Sequence, residues 1–470
     1  MGAFITQNDI ERTVLATQPS TENTPPGSYI EPDKFSEMIK PKLQTARNYF
    51  YSNKVIHVHD ASNYPKVYVT SDIHSDYRKL IQLLINANII TYPGINIVEQ
   101  LYSPDIYLPQ FLTNMIWKQS NVSLVILGDI IDGRRGQNLE IDDPHGSFEF
   151  LLHVFLFNLR IKALEKNSMV LFTFGNHDFH AVIKQRDIGF IDSYTSGTTK
   201  LFFDVNGTWM KTRKDVLLPF YEVLPLFFVM FGTGGHKEFA GIHAGFHDEN
   251  GLLIAKDIQA LQHRVNSLKP DESLDLLSDE DYACLASPIS GDGGLWSRYY
   301  NKHESCASIT ELKTPLIVVG HCPTMFPPSK TYPSIQHESM NMKPLLYEGC
   351  DKGAGGRGCV TLSCENRLAH VDVSMSSSFF NYADKNQHRH RDAEMLLLEH
   401  KSDLSVSDRY YNVIRRISES GGNILMYSAP VLGENFPINN ARYVKPRRVG
   451  GRRKTYRRKN GKRKTTRRRI

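Results

Sequence analysis

A chain of 470 residues, 40% hydrophobic and 23% charged, is long enough to bury a substantial core, which excludes a wholly disordered, collagenous or coiled-coil protein. Its net charge of +6 averages two unlike parts. Residues 442–470 hold 16 Lys or Arg and no acid, leaving 40 basic against 50 acidic residues, a net of −10, in the remainder.

The first 32 residues are polar, and Pro19, Pro25, Pro26 and Gly27 mark a flexible arm. Its opening residues lack a basic region followed by an apolar stretch, so no signal peptide is expected. Apolar positions three and four apart predict a helix over 31–52. Short apolar runs then predict strands at 67–70, 122–127, 169–174, 226–231 and 316–319, interleaved with helical patterns at 77–89 and 147–166. Such interleaving indicates a layered α/β domain. Beyond residue 392 the pattern weakens to a strand over 394–399 and a short helix over 408–417. The most apolar stretch, 217–231, is broken by Pro219, Glu222 and Pro225, short of the roughly 20 apolar residues that a membrane span needs. Six cysteines in a chain this long make no disulfide scaffold, the absence of CxxC spacing leaves a structural zinc site weakly supported, and a reducing compartment follows.

Four of the apolar runs end in side chains that suit metal ions. They lead into Ser71-Asp72-Ile73-His74, Gly128-Asp129-Ile130-Ile131-Asp132-Gly133, Gly175-Asn176-His177-Asp178 and Gly320-His321, and a fifth segment offers His243 between small residues. In open α/β sheets the ligand crevice lies outside the carboxyl ends of the strands, so these loops can converge. Asp, Asn and His suit Mn, Fe, Zn or Mg. Two carboxylates, an amide and three imidazoles are too many for one open catalytic ion and about right for two, with Asp129 able to bridge. Two such ions clamp a phosphate and convert a shared water to hydroxide, while a nearby histidine held by a carboxylate protonates the leaving oxygen.

In this order the motifs resemble those of the calcineurin-like metallophosphoesterases, and among them the phosphoprotein-phosphatase branch, which includes bacterial-type Ser/Thr phosphatases and symmetrical diadenosine tetraphosphate hydrolases. The resemblance covers residues 66–376 and extends to Asp76-Tyr77-Arg78-Lys79-Leu80, Trp117, Leu295-Trp296-Ser297-Arg298 and the late strand at 370–375. It implies an α/β fold, a layered metallophosphoesterase sandwich of two mixed β-sheets flanked by helices. The implied organisation is an N-terminal arm and helix (1–65), a catalytic domain (66–376), a C-terminal elaboration (377–441) and a disordered basic tail (442–470). It assigns Asp72, His74 and bridging Asp129 to one ion, and Asp129, Asn176, His243 and His321 to the second. His177 becomes the proton donor oriented by Asp132, with Arg298 clamping the phosphate through its planar fork. The chain departs from the branch in several places. Ser71 and Ser75 flank the first motif where glycines are usual, at little expected cost because neither is a ligand. Arg134 stands one place later than the usual arginine, GNHE is replaced by GNHD, and HGG by His243-Ala244-Gly245.

The implied activity is hydrolysis of phosphomonoesters, phosphoserine or phosphothreonine in proteins, with two divalent ions, Mn foremost. The alternatives are a dinucleoside polyphosphate hydrolase and a non-catalytic scaffold for a nucleic-acid-binding tail. His57, His59, His153, His180, His236 and His247 read as surface or core histidines, and the glycine-rich loop 353–358 is followed by no helix start that would make it a nucleotide loop. The first six residues fit a myristoylation pattern at Gly2, which would add membrane contact. The tail resembles basic tails of proteins packaged with nucleic acid, including those of large DNA viruses. Its composition points to phosphate contact with DNA or RNA, with nuclear targeting and anionic membranes as alternatives. The expected setting is intracellular: cytoplasm, nucleus or virion.

Overall fold

A computed structural model describes residues 56–93, 114–131, 147–178, 224–232, 237–247, 294–301, 305–322, 359–373, 393–404, 409–419 and 421–429. The helix expected over 31–52, Gly2, Asp132, Arg134, His180, His236, the loop 353–358 and the basic tail lie outside the described residues.

Two six-stranded mixed sheets dominate. The first runs in the order β1 (Ile56–Asp60), β7 (Phe227–Phe231), β8 (Lys237–Ile242), β9 (Leu316–Val319), β11 (Leu368–His370), β10 (Thr361–Ser363). Within it β1 and β7, β8 and β9, and β9 and β11 are parallel pairs, while β7–β8 and β10–β11 are antiparallel. The second runs β14 (Asn423–Ser428), β13 (Val413–Ser418), β12 (Glu394–Glu399), β2 (Lys66–Thr70), β5 (Val122–Ile126), β6 (Met169–Phe172). Here β2, β5 and β6 are parallel, and β12, β13 and β14 continue antiparallel from β2. A two-stranded ribbon of β3 (Ile90–Thr91) and β4 (Ile116–Trp117) lies apart.

The parallel strands β5, β6 and β9 are buried at every position, as predominantly apolar runs covered on both faces are, with Ser123 the one polar residue among them. One apolar cluster joins Val67, Leu124 and Leu171 of the second sheet to Phe228, Phe239 and Val318 of the first. Helix α1 (Tyr77–Asn86) starts at Asp76, whose carboxylate accepts from Lys79 N at 3.2 Å, and buries Tyr77, Leu80, Ile81, Leu83 and Leu84. It stops short of the expected residue 89 because Asn88 turns left-handed (φ 57°). Helix α2 (Ser147–Leu164) matches its pattern, and α3 (Ser305–Glu311) precedes β9. Among the described residues no helix is long and apolar enough to cross a membrane.

Two expectations are corrected. Residues 413–418 form a strand, not the end of a helix over 408–417. Val413, Ile414 and Ile417 mimic helical spacing, but as β-branched residues they favour the pleated surface, and they pair along the whole of β12. The cysteines do form disulfides. Cys306 on α3 is bonded to Cys364 in the β10–β11 turn, with Cα atoms 5.0 Å apart, and Cys359 is disulfide-bonded as well. Spacing along the chain could not show that α3 and this turn, 58 residues apart, meet within bonding reach. The expectation of a reducing compartment, which rested on unpaired cysteines, loses its basis.

Candidate metal centre

Each expected ligand that the structure describes sits just past the carboxyl end of a strand: Asp72 and His74 after β2, Asp129 after β5, Asn176 after β6, His243 after β8 and His321 after β9. Main-chain hydrogen bonds splice the loops together. Asp72 N donates to Gly128 O at 3.0 Å, His74 N to Asp129 O at 2.9 Å, and Gly320 N to His243 O at 2.7 Å. Gly128 (φ 76°) and Gly175 approach so closely that a Cβ on either would strike the other loop's main chain. Asp72, His74, Asp129 and His321 all hold left-handed backbones, at φ 53°, 43°, 50° and 61°. Each costs on the order of 1 kcal/mol or more, a local strain that the surrounding packing sustains.

The side chains converge on Asp129. Its Oδ2 lies 3.4 Å from His74 Nε2, 3.5 Å from His243 Nε2 and 3.9 Å from His177 Nε2, while its Oδ1 accepts from His177 N at 2.9 Å. Asp72 Oδ1 is 3.9 Å from His74 Nε2. Asn176 Oδ1 lies 2.9 Å from His243 Nε2 and 3.0 Å from His321 Nδ1. Two groups of candidate ligands result, His74–Asp129–His177 and Asp129–His243–His321, with ligand atoms inside each within 4.8 Å of one another. Asp129 belongs to both.

The donors are aimed. His243 Nδ1 donates to Leu127 O at 2.7 Å and His74 Nδ1 to Ile131 O at 3.1 Å, which fixes the tautomers and turns both Nε2 atoms inward. Among the described residues the buried Nε2 of His321 has no hydrogen-bond partner. A buried donor set of two carboxylates, an amide oxygen and imidazoles, one with an orphaned nitrogen, fits a pair of divalent ions.

The electrostatics agree with that fit. Burial works to raise Asp129, yet the imidazoles of His243 and His177 hold it well below the usual carboxylate range. Burial pushes Asp72 up to about 7 against the opposing pull of His243. His243 rises to about 10, since Asp129 and Asp72 overcome the cost of burying its charge. A proton on His243 thus balances the buried carboxylates, and a divalent cation would take its place. Burial, His243 and Arg298 drive His321 well down, toward the neutral form that ligates.

Arg298 belongs to the segment 294–301, which packs beside His321. The same segment brings Trp296 against the His321 ring (centroids 6.1 Å apart) and is tied to the His243 loop, where Ala244 N and Gly245 N donate to Gly294 O at 3.2 and 3.1 Å. His153 and His247 are fully buried, away from the two ligand groups. Two further residues support the ligand loops, Asp178, which the GNHD motif marks as a supporting carboxylate, and Ser71, which it does not. Asp178 is fully buried and its carboxylate accepts from Gly175 N, Ile130 N and Ile131 N at 2.9, 2.9 and 3.2 Å, locking the second and third loops together. Ser71, expected to be inert, donates its hydroxyl to Asp72 Oδ2. Nothing in Ser71's own neighbourhood along the chain signals its contact.

No protein-family model and no curated protein matches the chain. Solved structures similar to it include a cold-active protein-tyrosine phosphatase of a psychrophilic Shewanella species, at 17% identity over 80% of this chain and 83% of that one, with a TM-score of 0.46. A protein serine/threonine phosphatase from Saccharomyces cerevisiae is similar at 11% identity over 87% and 93%, with a TM-score of 0.40. A metallophosphoesterase from Sphaerobacter thermophilus is similar at 11% identity over 72% and 84%, with a TM-score of 0.29.

Proposed function

We propose that the protein is a dinuclear-metal phosphoesterase acting on phosphomonoesters, with phosphoserine or phosphothreonine in proteins as its substrate class. The observation that carries this reading is the Asp129 carboxylate shared by two groups of candidate ligands. Asp72 and His74 with Asp129 would hold one ion, and Asp129, Asn176, His243 and His321 the other. Ions bound there would neutralise phosphate charge and lower the pKa of a water. Arg298 supplies a planar fork for two phosphate oxygens, and Arg134 a further cation. His177, nearly buried and anchored through its main chain on Asp129, delivers a proton from its ring to the leaving oxygen, oriented by Asp132. Mn is the expected ion.

The grouping of His177 with His74 and Asp129 favours one competing role, ligand in place of proton donor. Elemental analysis separates the two: His177→Ala that keeps both ions but turns over slowly supports the donor role, and loss of an ion assigns a ligand. Asp129→Asn is expected to abolish both ion binding and hydrolysis. Parallel assays on phosphopeptides and diadenosine tetraphosphate separate the protein phosphatase from the dinucleoside polyphosphate hydrolase. The basic segment 442–470 is proposed to contact nucleic-acid phosphates independently of sequence.

A further inference from the structure

A second connection between the two ligand groups runs outside Asp129. In the proposed assignment Asp72 shares an ion with His74, past the end of β2 in the second sheet, whereas His321 shares the other with His243, past the end of β9 in the first sheet. The Oδ2 atom of Asp72 accepts from the main-chain N of His321 at 3.0 Å and from the Ser71 hydroxyl. Ser71 is completely buried and Asp72 almost so. Gly320 is required for this approach, because a Cβ there would collide with Ser71 Oγ and Asp72 Oδ2. With Oδ2 held by two donors, Asp72 offers Oδ1, the oxygen that faces His74 Nε2.

We infer that Ser71 is a positioning residue that couples the two ion sites, by fixing Asp72 Oδ2 against the main chain of His321. The inference rests on the dinuclear reading of the centre. The Ser71 hydroxyl limits Asp72 to one coordinating oxygen and sets the rotation of its carboxylate. With Oδ2 fixed in this way, ordering of Asp72 by an ion bound beside it would also order the main chain of His321 at the other site. Order imposed at one site is already in place when the second ion arrives, which is the physical content of positive coupling between ligands. Without the hydroxyl, Asp72 can rotate to present both oxygens to its own ion and release His321 N.

The test uses the full-length chain stripped of metal and titrated with Mn(II) alone. Calorimetry reads the two affinities, and electron paramagnetic resonance distinguishes isolated ions from spin-coupled pairs. In the wild type, one equivalent of Mn(II) is expected to give predominantly the pair spectrum, because a half-filled centre is the disfavoured state. In Ser71→Ala the same loading gives the isolated-ion spectrum, and the second ion binds about tenfold more weakly, the scale of one hydrogen bond to a charged group. Gly320→Ala reaches the same result from the other side by pushing His321 off Asp72. The melting temperature of each metal-free variant verifies that it is folded. Ser71→Ala and Gly320→Ala proteins that keep the wild-type spectrum and both affinities overturn the coupling alone. Wild-type protein that binds only one ion, or none, overturns the dinuclear reading and the coupling with it.

Discussion

Asp178 gathers main-chain N–H groups from two loops that belong to different strands, so its loss leaves buried donors without an acceptor. Asp178→Ala is expected to destabilise the metal-free protein by about 3 kcal/mol or more, since each buried unsatisfied group costs about 1–3 kcal/mol; urea unfolding measures it, and an unchanged midpoint would refute the role. His370, fully buried on β11, yields a pH dependence. Burial lowers its pKa from 6.5 to about 4, so the folded protein keeps it neutral while the unfolded chain protonates. Its contribution is therefore intact above pH 6.5 and is lost as pH falls toward 4, by up to about 3 kcal/mol. Unfolding free energies of wild type and His370→Leu, compared across that range, should differ by this slope; parallel curves would refute it. The candidate ligands Asp72, His74, Asp129, Asn176 and His321 were legible because each stands just past an apolar run, and His243 because it stands between small residues. The role of Ser71 was not, because its acceptor, Asp72 Oδ2, gains a second donor only when the His321 loop from another strand meets it.

Among elements, the strands that read most clearly were the parallel ones, whose burial on both faces leaves a predominantly apolar signature, unbroken in β6 and β9 and interrupted in β5 only by Ser123. Strand β13 was misread because two adjacent apolar residues and a third three places on satisfy a helical face equally well; only the open edge of β12 decides between them. The Cys306–Cys364 bond joins two short elements that have little area of their own to bury. Closing a loop across 58 residues restricts the unfolded chain by about 4 kcal/mol on the chain-entropy account. The double variant Cys306→Ser/Cys364→Ser should lose stability on that scale in guanidinium unfolding. Equal midpoints for variant and parent would mean that the bond adds no constraint.

At the scale of the whole molecule, charge is divided between an acidic remainder and residues 442–470. Deleting 442–470 should leave hydrolysis of small phosphoesters unchanged while abolishing retention on DNA or RNA at low salt; the parent's retention should fall steeply as salt rises, because binding of this kind is driven by counterion release. Equal retention of both proteins would refute the tail's role. The strand order of the second sheet has a separate consequence, for the history of the chain. Strand β2 leads into the first two candidate ligands, yet its neighbours are β5, made soon after it, and β12, made near the other end of the described chain. The hydrogen bond from Thr70 to Glu394 O bridges 324 residues. During synthesis, β2 must wait with one edge unpaired while the other sheet is translated, so contact order is high and folding correspondingly slow. A ribosome-bound chain stalled before residue 394 would hold every proposed metal ligand and still lack the strand that closes β2, leaving the early half of the centre on an open sheet edge until the last strands arrive.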